Sequence, residues 1–340
     1  MGPRYVDTDG VSQAFGTLSD ALADITFPLT EDETVYVAAS TGLADTPVTI
    51  PDTGSGYKLF VIDPIVRSEY DDAGYRIETS DSSQCVASTT SGHGSASNFV
   101  IRNLQLRRTT ATASNQYIIL ISGVRSGNIS FENCLIMGHP TQVSNHTSTL
   151  VRSVHDSRYT AVLSFLNCVF MATDGAALNA HFDFGATFAP GNTFIHNCSL
   201  VSGNTVVHNA RVEDRGNIYV RNCIVTDAAP GVASGGNVAD CVWGADFDDT
   251  GYTLWSDNQI NADLSGTFVD AAGGDYQLSS GDVIARDSGV DLSDHATAPV
   301  TDDKLGVSRP QGSGWDIGAF EYVDVLPLPR LFYGKPQPMS

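Results

Sequence analysis

The chain has 340 residues and a formal net charge of −21, with only three lysines. A surface this acidic argues against a nucleic-acid partner, whose phosphates demand a basic face; it suits solubility, cation binding or assembly against a basic neighbour. No apolar run is long enough to span a bilayer, so no membrane partner is expected, and the length suffices to bury a core in one elongated domain.

The opening Met1-Gly2-Pro3-Arg4-Tyr5-Val6-Asp7 has neither a basic n-region nor an apolar h-region, so the fold is expected to begin at once and the protein to be made in a cytosol. The first predicted element is a helix over Val11–Ile25. There Phe15, Leu18, Ala21, Leu22 and Ile25 share one face, with Ser19 or Asp20 near the start. A short amphipathic helix is what an open-ended stack of strands needs to cover its edge. Strand-like stretches follow at Thr34–Ala38, Val48–Ile50 and Leu59–Ile62.

From Asn98 the chain writes one line repeatedly: Asn98–Leu106 (NFVIRNLQL), Gly127–Gly138 (GNISFENCLIMG), Val162–Phe170 (VLSFLNCVF), Asn192–Leu200 (NTFIHNCSL), Asn217–Val225 (NIYVRNCIV) and a decayed Asn237–Trp243 (NVADCVW). Aligned on Asn103, Asn133, Asn167, Asn197 and Asn222, with Asp240 in the last copy, three apolar columns emerge. Two residues before stand Ile101, Phe131, Phe165, Ile195, Val220 and Val238. One residue after stand Leu104, Cys134, Cys168, Cys198, Cys223 and Cys241; three after, Leu106, Ile136, Phe170, Leu200, Val225 and Trp243.

Apolar residues that alternate mark strands with one buried face. Here the alternation slips by one at the Asn, and an unbent strand would turn its faces inside out. The chain must therefore bend there, and Asn is the non-glycine residue that best tolerates the left-handed conformation of such a corner. The spacing between successive corners, 30, 34, 30, 25 and 18 residues, reads as a stacked repeat. The expected fold is all-β: a single-stranded parallel β-helix with a short N-terminal capping helix and a C-terminal extension. The expected divisions are 1–34 cap, 35–265 coil, 266–322 closing segment and 323–340 extended arm.

These lines resemble right-handed parallel β-helix proteins of the pectate-lyase-like superfamily, most of all phage-encoded virion members. So do Tyr5-Val6-Asp7-x-Asp9-Gly10, the stretch Phe268-Val269-Asp270…Asp275-Tyr276-Gln277-Leu278, and Arg309-Pro310 ahead of Asp316–Tyr322. The resemblance implies the fold, not a site, because one fold hosts many functions.

Few residues carry a recognisable chemistry. Five of six cysteines share one column, and strands about 4.8 Å apart are too widely set for a disulfide, whose Cβ atoms lie about 3.8 Å apart. Buried, reduced thiols are expected, and no metal or other cofactor. The outward column just before the corner reads Arg102, Glu132, Leu166, His196, Arg221, Ala239, which suggests a cross-rung ion pair rather than a paired acid and base. The column two residues earlier, Val100, Ser130, Ser164, Phe194 and Tyr219, offers only a thin aromatic row for a glycan. Gly92-His93-Gly94 and Asp71-Asp72 resemble fragments of polygalacturonase motifs, whose Asn-Thr-Asp and Arg-Ile-Lys elements are missing. The remaining catalytic candidates come from three predicted loops, 139–160, 171–191 and 203–216. These carry His155, Asp156, His181, Asp183, His208 and Glu213 and would lie side by side.

The tail Val325–Ser340 sets Leu326, Leu328, Leu331, Phe332 and Tyr333 among Pro327, Pro329, Pro336 and Pro338. Prolines forbid helix and central strand, and the segment is too apolar for a solvated tail, so an arm lying on another surface is expected. Together these readings point to a structural component of a bacteriophage virion, a head decoration or cement protein or a tail-fibre-like element. It would assemble in the host bacterial cytoplasm with other virion proteins as a homo-oligomer, a trimer being one candidate state. The alternatives are a tailspike-like polysaccharide lyase or glycoside hydrolase, and a non-catalytic module for a host surface glycan.

Overall fold

A computed structural model of the chain describes residues 4–6, 17–25, 29, 32–37, 47–50, 60–64, 76–79, 84–89, 98–109, 117–122, 126–138, 147–154, 161–171, 178–183, 192–201, 205–208, 218–226, 236–239, 241–244, 253–254, 259, 262–271 and 274–324. Three parallel sheets of ten, seven and six strands run through them, and from Phe99 to His208 each coil contributes one strand to each sheet in turn. One full coil is Asn128–Glu132 in the first sheet, Leu135–Met137 in the second and Thr147–Val154 in the third. The next coil then starts at Val162–Leu166 and pairs Asn128 with Val162 and Phe131 with Phe165. The fold is a parallel β-helix.

The bend between the first and second sheets is the Asn corner. Asn103, Asn133, Asn167, Asn197 and Asn222 all have φ between 50° and 58°. Each is followed by one residue that turns inward, and the inward columns close on a dry core. Phe131, Phe165, Ile195, Leu106, Ile136, Phe170 and the cysteines of the corner column are all fully buried. Phe131 and Phe165 stack at 5.3 Å, and Phe170 meets Phe165 edge-on at 5.5 Å. Such columns work because equivalent residues on successive strands lie at van der Waals distance, where aromatic pairs add about 0.5–1.5 kcal/mol to their burial.

The helix spans Leu18–Ala23, shorter than the pattern suggests; residues 11–16 of the predicted span lie outside the described ones. Ser19 and Asp20 fall in its first turn, and Thr17 caps it, accepting from the Asp20 amide at 3.1 Å while its hydroxyl donates to Asp20 Oδ2 at 2.7 Å. Leu18, Ala21 and Leu22 are buried, and the helix packs against Arg4–Val6 and Val48–Ile50, the first strands of the first and third sheets. Arg4–Val6 itself pairs with Glu33–Val37, so the N-terminal segment supplies a strand as well as a cap.

The stretch described over 262–271 and 274–324, which includes the predicted closing segment 266–322, has little regular structure beyond one antiparallel pair, Phe268–Asp270 with Asp275–Leu278. It lies lengthwise against the outside of the coil, astride the Asn corner. On the second-sheet side, Phe268, Tyr276, Leu278, Ala285, Ile317, Ala319 and Phe320 cover Leu135, Val169, Val201, Ile224 and Val242. On the first-sheet side, Leu292, Ala298, Val300 and Trp315 cover Leu166 and Phe194. Positions that alternation assigns to the outside are thus buried too: Ser164 is 6% exposed and Phe194 3%.

Candidate functional site

The corner ladder and the segment that straddles it hold most of the buried polar chemistry among the described residues. Along the ladder Asn133 Nδ2 donates to Asn103 Oδ1 at 3.1 Å, and Asn167 Nδ2 to Asn133 Oδ1 at 3.2 Å. Past Asn167 the chain of amides is taken over by the closing segment. Asn167 Nδ2 also reaches the Asp302 carbonyl at 2.7 Å, and Asn222 exchanges both amide bonds with Val290, at 2.7 and 3.0 Å. Lys304 sends its ammonium inward to the Asn133 carbonyl at 2.6 Å and is 4% exposed. Gly318, at φ 102°, brings its amide to the Asn222 carbonyl at 2.8 Å. A side chain there would strike Ile224, so only glycine lets the two backbones meet.

Arg309 ties these parts together. Its Nη1 pairs with Glu321 Oε2 at 2.8 Å, both side chains being wholly buried. Nη1 also donates to the Asp316 carbonyl at 3.0 Å, and Nη2 to the Gly318 carbonyl at 2.9 Å and Asn167 Oδ1 at 3.4 Å. Burial pushes Glu321 up to about 7 against the pull of Arg309, and burial likewise raises Asp316. Asp316 accepts from the amides of Asp287 and Tyr322, and Asp303 from those of Leu305, Val307 and Glu321. These carboxylates are spent on backbone amides, which makes the cluster a clasp for the segment.

Beside the clasp a cleft of about 180 Å³ opens between Arg102, Glu132, Asn133, Leu166 and Asn167 on the coil and residues 299–302 of the segment. Arg102 Nη2 meets Glu132 Oε2 at 3.3 Å, and Ser130 Oγ donates to Glu132 Oε1 at 3.1 Å. The cleft offers a cation, a carboxylate and amides to a small polar ligand, with Leu166 and Val300 as an apolar edge.

Further along the same column His196 is fully buried, its Nδ1 3.2 Å from the Ala298 carbonyl. Burial first, then His295 and Arg221, depress it to about 3. The thin aromatic row expected for a glycan is used internally here. Phe194 stacks on Tyr219 at 5.0 Å and meets the His196 and His295 rings edge-on.

All six cysteines are free and buried. Each thiol of the corner column donates to a carbonyl of the preceding coil, Cys134 to Ile101 and Cys198 to Phe165, both at 3.5 Å. Burial pushes Cys85 up to about 12 and also raises Cys134 and Cys198, so these groups stay thiols. No group of three or more possible metal ligands occurs among the described residues.

The three predicted loops each contain a strand of the third sheet: Thr147–Val154, Leu178–Asp183 and Thr205–His208. The register brings Arg152, Asp183 and His208 to one level on successive strands, and His181 lies in the middle one. His155, Asp156 and Glu213 lie outside the described residues, as do Gly92-His93-Gly94, Asp71-Asp72 and the arm from 325 onward, with Leu326, Leu328, Leu331, Phe332 and Tyr333. Sequence reasoning missed the Arg309 clasp and His196. One signal was present: Leu135-Ile136, Val169-Phe170 and Ile224-Val225 are unbroken apolar pairs, the mark of a strand covered on both faces.

No family model and no curated protein matches the chain. Among solved structures, a pectin methylesterase from Aspergillus niger is 17% identical, with a TM-score of 0.42 over 78% of this chain and 87% of that one. Pectate lyase Pel9A is 14% identical, with a TM-score of 0.39 over 94% and 97%. ORF18 of Geobacillus virus E2 is 14% identical, with a TM-score of 0.32 over 76% of this chain and 59% of that one. The β-helix assignment stands on this chain's own strand order and register.

Proposed function

We propose that the chain is a structural component of a bacteriophage virion, a head decoration or cement protein or a tail-fibre-like element that acts through protein–protein contacts. The observation that carries this reading is the placement of the closing segment. Part of the coil's outer face is used for internal packing, with Leu166, Phe194 and His196 buried under residues 291–315. A coil braced from Asn133 to Val242 by its own C-terminal segment suits a rigid building block better than an open substrate groove. Asp324 is exposed, so the chain leaves the clasp at the surface, and the apolar arm beyond it supplies the contact with a neighbouring subunit.

Two measurements test this. The protein is expected in stoichiometric amounts in purified virions. A chain lacking 324–340 is expected to keep its melting temperature and be lost from particles or oligomers. A truncated chain that melts lower yet still assembles would assign the arm to its own coil.

The open cleft at Arg102 and Glu132 favours a second reading, a host-glycan module with or without tailspike-like cleavage. Reducing ends or unsaturated sugars released from host polysaccharide, with or without calcium, and lost on changing Asp156, Asp183 or Glu213, would select the enzyme.

A further inference from the structure

The loop 291–300 is held on the first sheet by two histidines, His295 through a ring nitrogen that must keep its lone pair and His196 in a buried setting that disfavours a charge. His196 projects outward from Thr193–His196, with Leu166 beside it on the preceding strand and Arg221 on the following one. From the loop, the Ala298 carbonyl accepts from Nδ1 at 3.2 Å, which places the ring hydrogen on Nδ1 and the lone pair on Nε2. Nε2 is buried with no hydrogen-bond partner among the described residues. A proton added there has nothing to donate to.

His295 faces His196 edge-on, ring centres 4.8 Å apart. Its Nδ1 accepts the amides of Ala298 at 3.1 Å and Thr297 at 3.4 Å, closing the turn that carries the Ala298 carbonyl. A protonated Nδ1 has no lone pair, so the turn opens when this ring charges. The charged or titratable groups facing His196 are Arg221 from the sheet and His295 from the loop, and Arg221 also acts on His295. Both oppose a positive charge. Asp291 and Asp294, on the same loop, are exposed, and Asp291 accepts the Ser293 amide at 2.8 Å.

The geometry points to an acid-released latch: protonation of His295 and His196 frees the loop 291–300 from the first sheet and uncovers Leu166, Phe194 and His196 while the coil stays folded. The Arg309 clasp lies outside this loop, so the remainder of the segment remains docked. Depression of both histidines below their ordinary range agrees with the direction of release.

Amide hydrogen exchange of the full chain, corrected for the intrinsic pH dependence, tests the latch between about pH 7.5 and about pH 4.5. Peptides covering 289–300 are expected to lose protection by about tenfold per pH unit for each histidine that titrates, while peptides covering 162–170 keep theirs. The double variant H196Q/H295N, whose amides accept or donate without charging, is expected to flatten the loop's pH response. Loop protection that holds down to the acid limit overturns the latch. So does a loss shared equally by the coil peptides, or one that persists in the double variant. If the double variant does not fold, the wild-type comparison of loop against coil decides alone.

Discussion

Along the coil, equivalent positions repeat one solution: an Asn at each of the five described corners, a thiol or Leu after it, and an apolar residue at each inward position. Backbone groups are satisfied by the next coil, about 4.8 Å away, whatever the side chains are. The closing segment has no such neighbour to copy. Its backbone is held by particular side chains, namely Asp282, Asp303, Asp316 and Arg309, and its bonds to the coil join residues up to 171 positions apart. Repetition spreads stability over many equivalent contacts, whereas the clasp concentrates it in a few groups. Single substitutions should therefore be far more damaging in the clasp than on the coil's outer face.

The largest effect is expected at the buried pair. Glu321→Ala removes the carboxylate that pairs directly with the Arg309 guanidinium, in a site with no exposure, and should cost about 3–5 kcal/mol in denaturant unfolding. Replacing both partners, as R309M/E321L, should recover much of that loss, because an apolar pair carries no desolvation penalty. A single-variant cost under about 1 kcal/mol would mean that the segment docks mainly through its two apolar faces, and the contrast with the coil would fail.

The corner Asn residues sharpen the same contrast, because one ladder serves both regions. Asn103→Ala should cost about 1–2 kcal/mol, chiefly for a left-handed alanine. Asn167→Ala adds the loss of bonds to Asn133, the Asp302 carbonyl and Arg309, for about 2–4 kcal/mol in total. Glycine at either site removes the backbone penalty and leaves the hydrogen-bond difference. Equal costs at the two positions would show that the clasp draws nothing from the ladder.

This difference also explains what was legible. The slip in alternation at Asn133 or Asn167 implies a bend, and a bend with a fixed repeat implies a coil, so local pattern led to the fold. Arg309, Glu321 and His196 carry no local mark. Their roles depend on which distant residues face them, and nothing in Arg309-Pro310 or in Thr193–His196 names those partners. The third-sheet strands were read as loops for a related reason. Leu178–Asp183 (LNAHFD) and Thr205–His208 (TVVH) are short, polar-spotted, and separated from the repeat line by stretches of variable length.

A pH experiment separates the two faces of the segment. His196 has a folded pKa of about 3 against an ordinary 6.5, so the unfolded chain binds more protons in that window. Its contribution is full above 6.5 and is lost as pH falls toward 3. Glu321, at about 7 against 4.5, behaves oppositely: its contribution is full below 4.5 and is lost as pH rises through 7. Each slope is about 1.4 kcal/mol per pH unit, and between 4.5 and 6.5 the two oppose each other. Relative to wild type, Glu321→Gln should steepen the loss of stability on acidification, and His196→Gln should lessen it. Parallel stability curves for the two variants would contradict the burial assigned to these groups.

The smallest effect is expected on the coil's outer face, at Arg102 and Glu132. Their side chains are 35% and 27% exposed and 3.3 Å apart, joining successive strands across the open cleft. Water screens such a pair and ordering two long side chains offsets its attraction, so a double-mutant cycle should give a coupling of about 0.2–1 kcal/mol. That coupling should shrink in about 1 M salt, where the screening length falls to about 3 Å. Neither single alanine variant should lower the melting temperature as much as any change in the clasp. A salt-resistant coupling above about 2 kcal/mol would instead mean that Arg102, Glu132 and Ser130 are held in a preorganised, poorly solvated arrangement. A surface built only for packing has no use for that rigidity, but a site that orients hydroxyl groups does. The outcome would then move the reading of the cleft from a seam beside the clasp to a ligand site, and weight would pass to the glycan module.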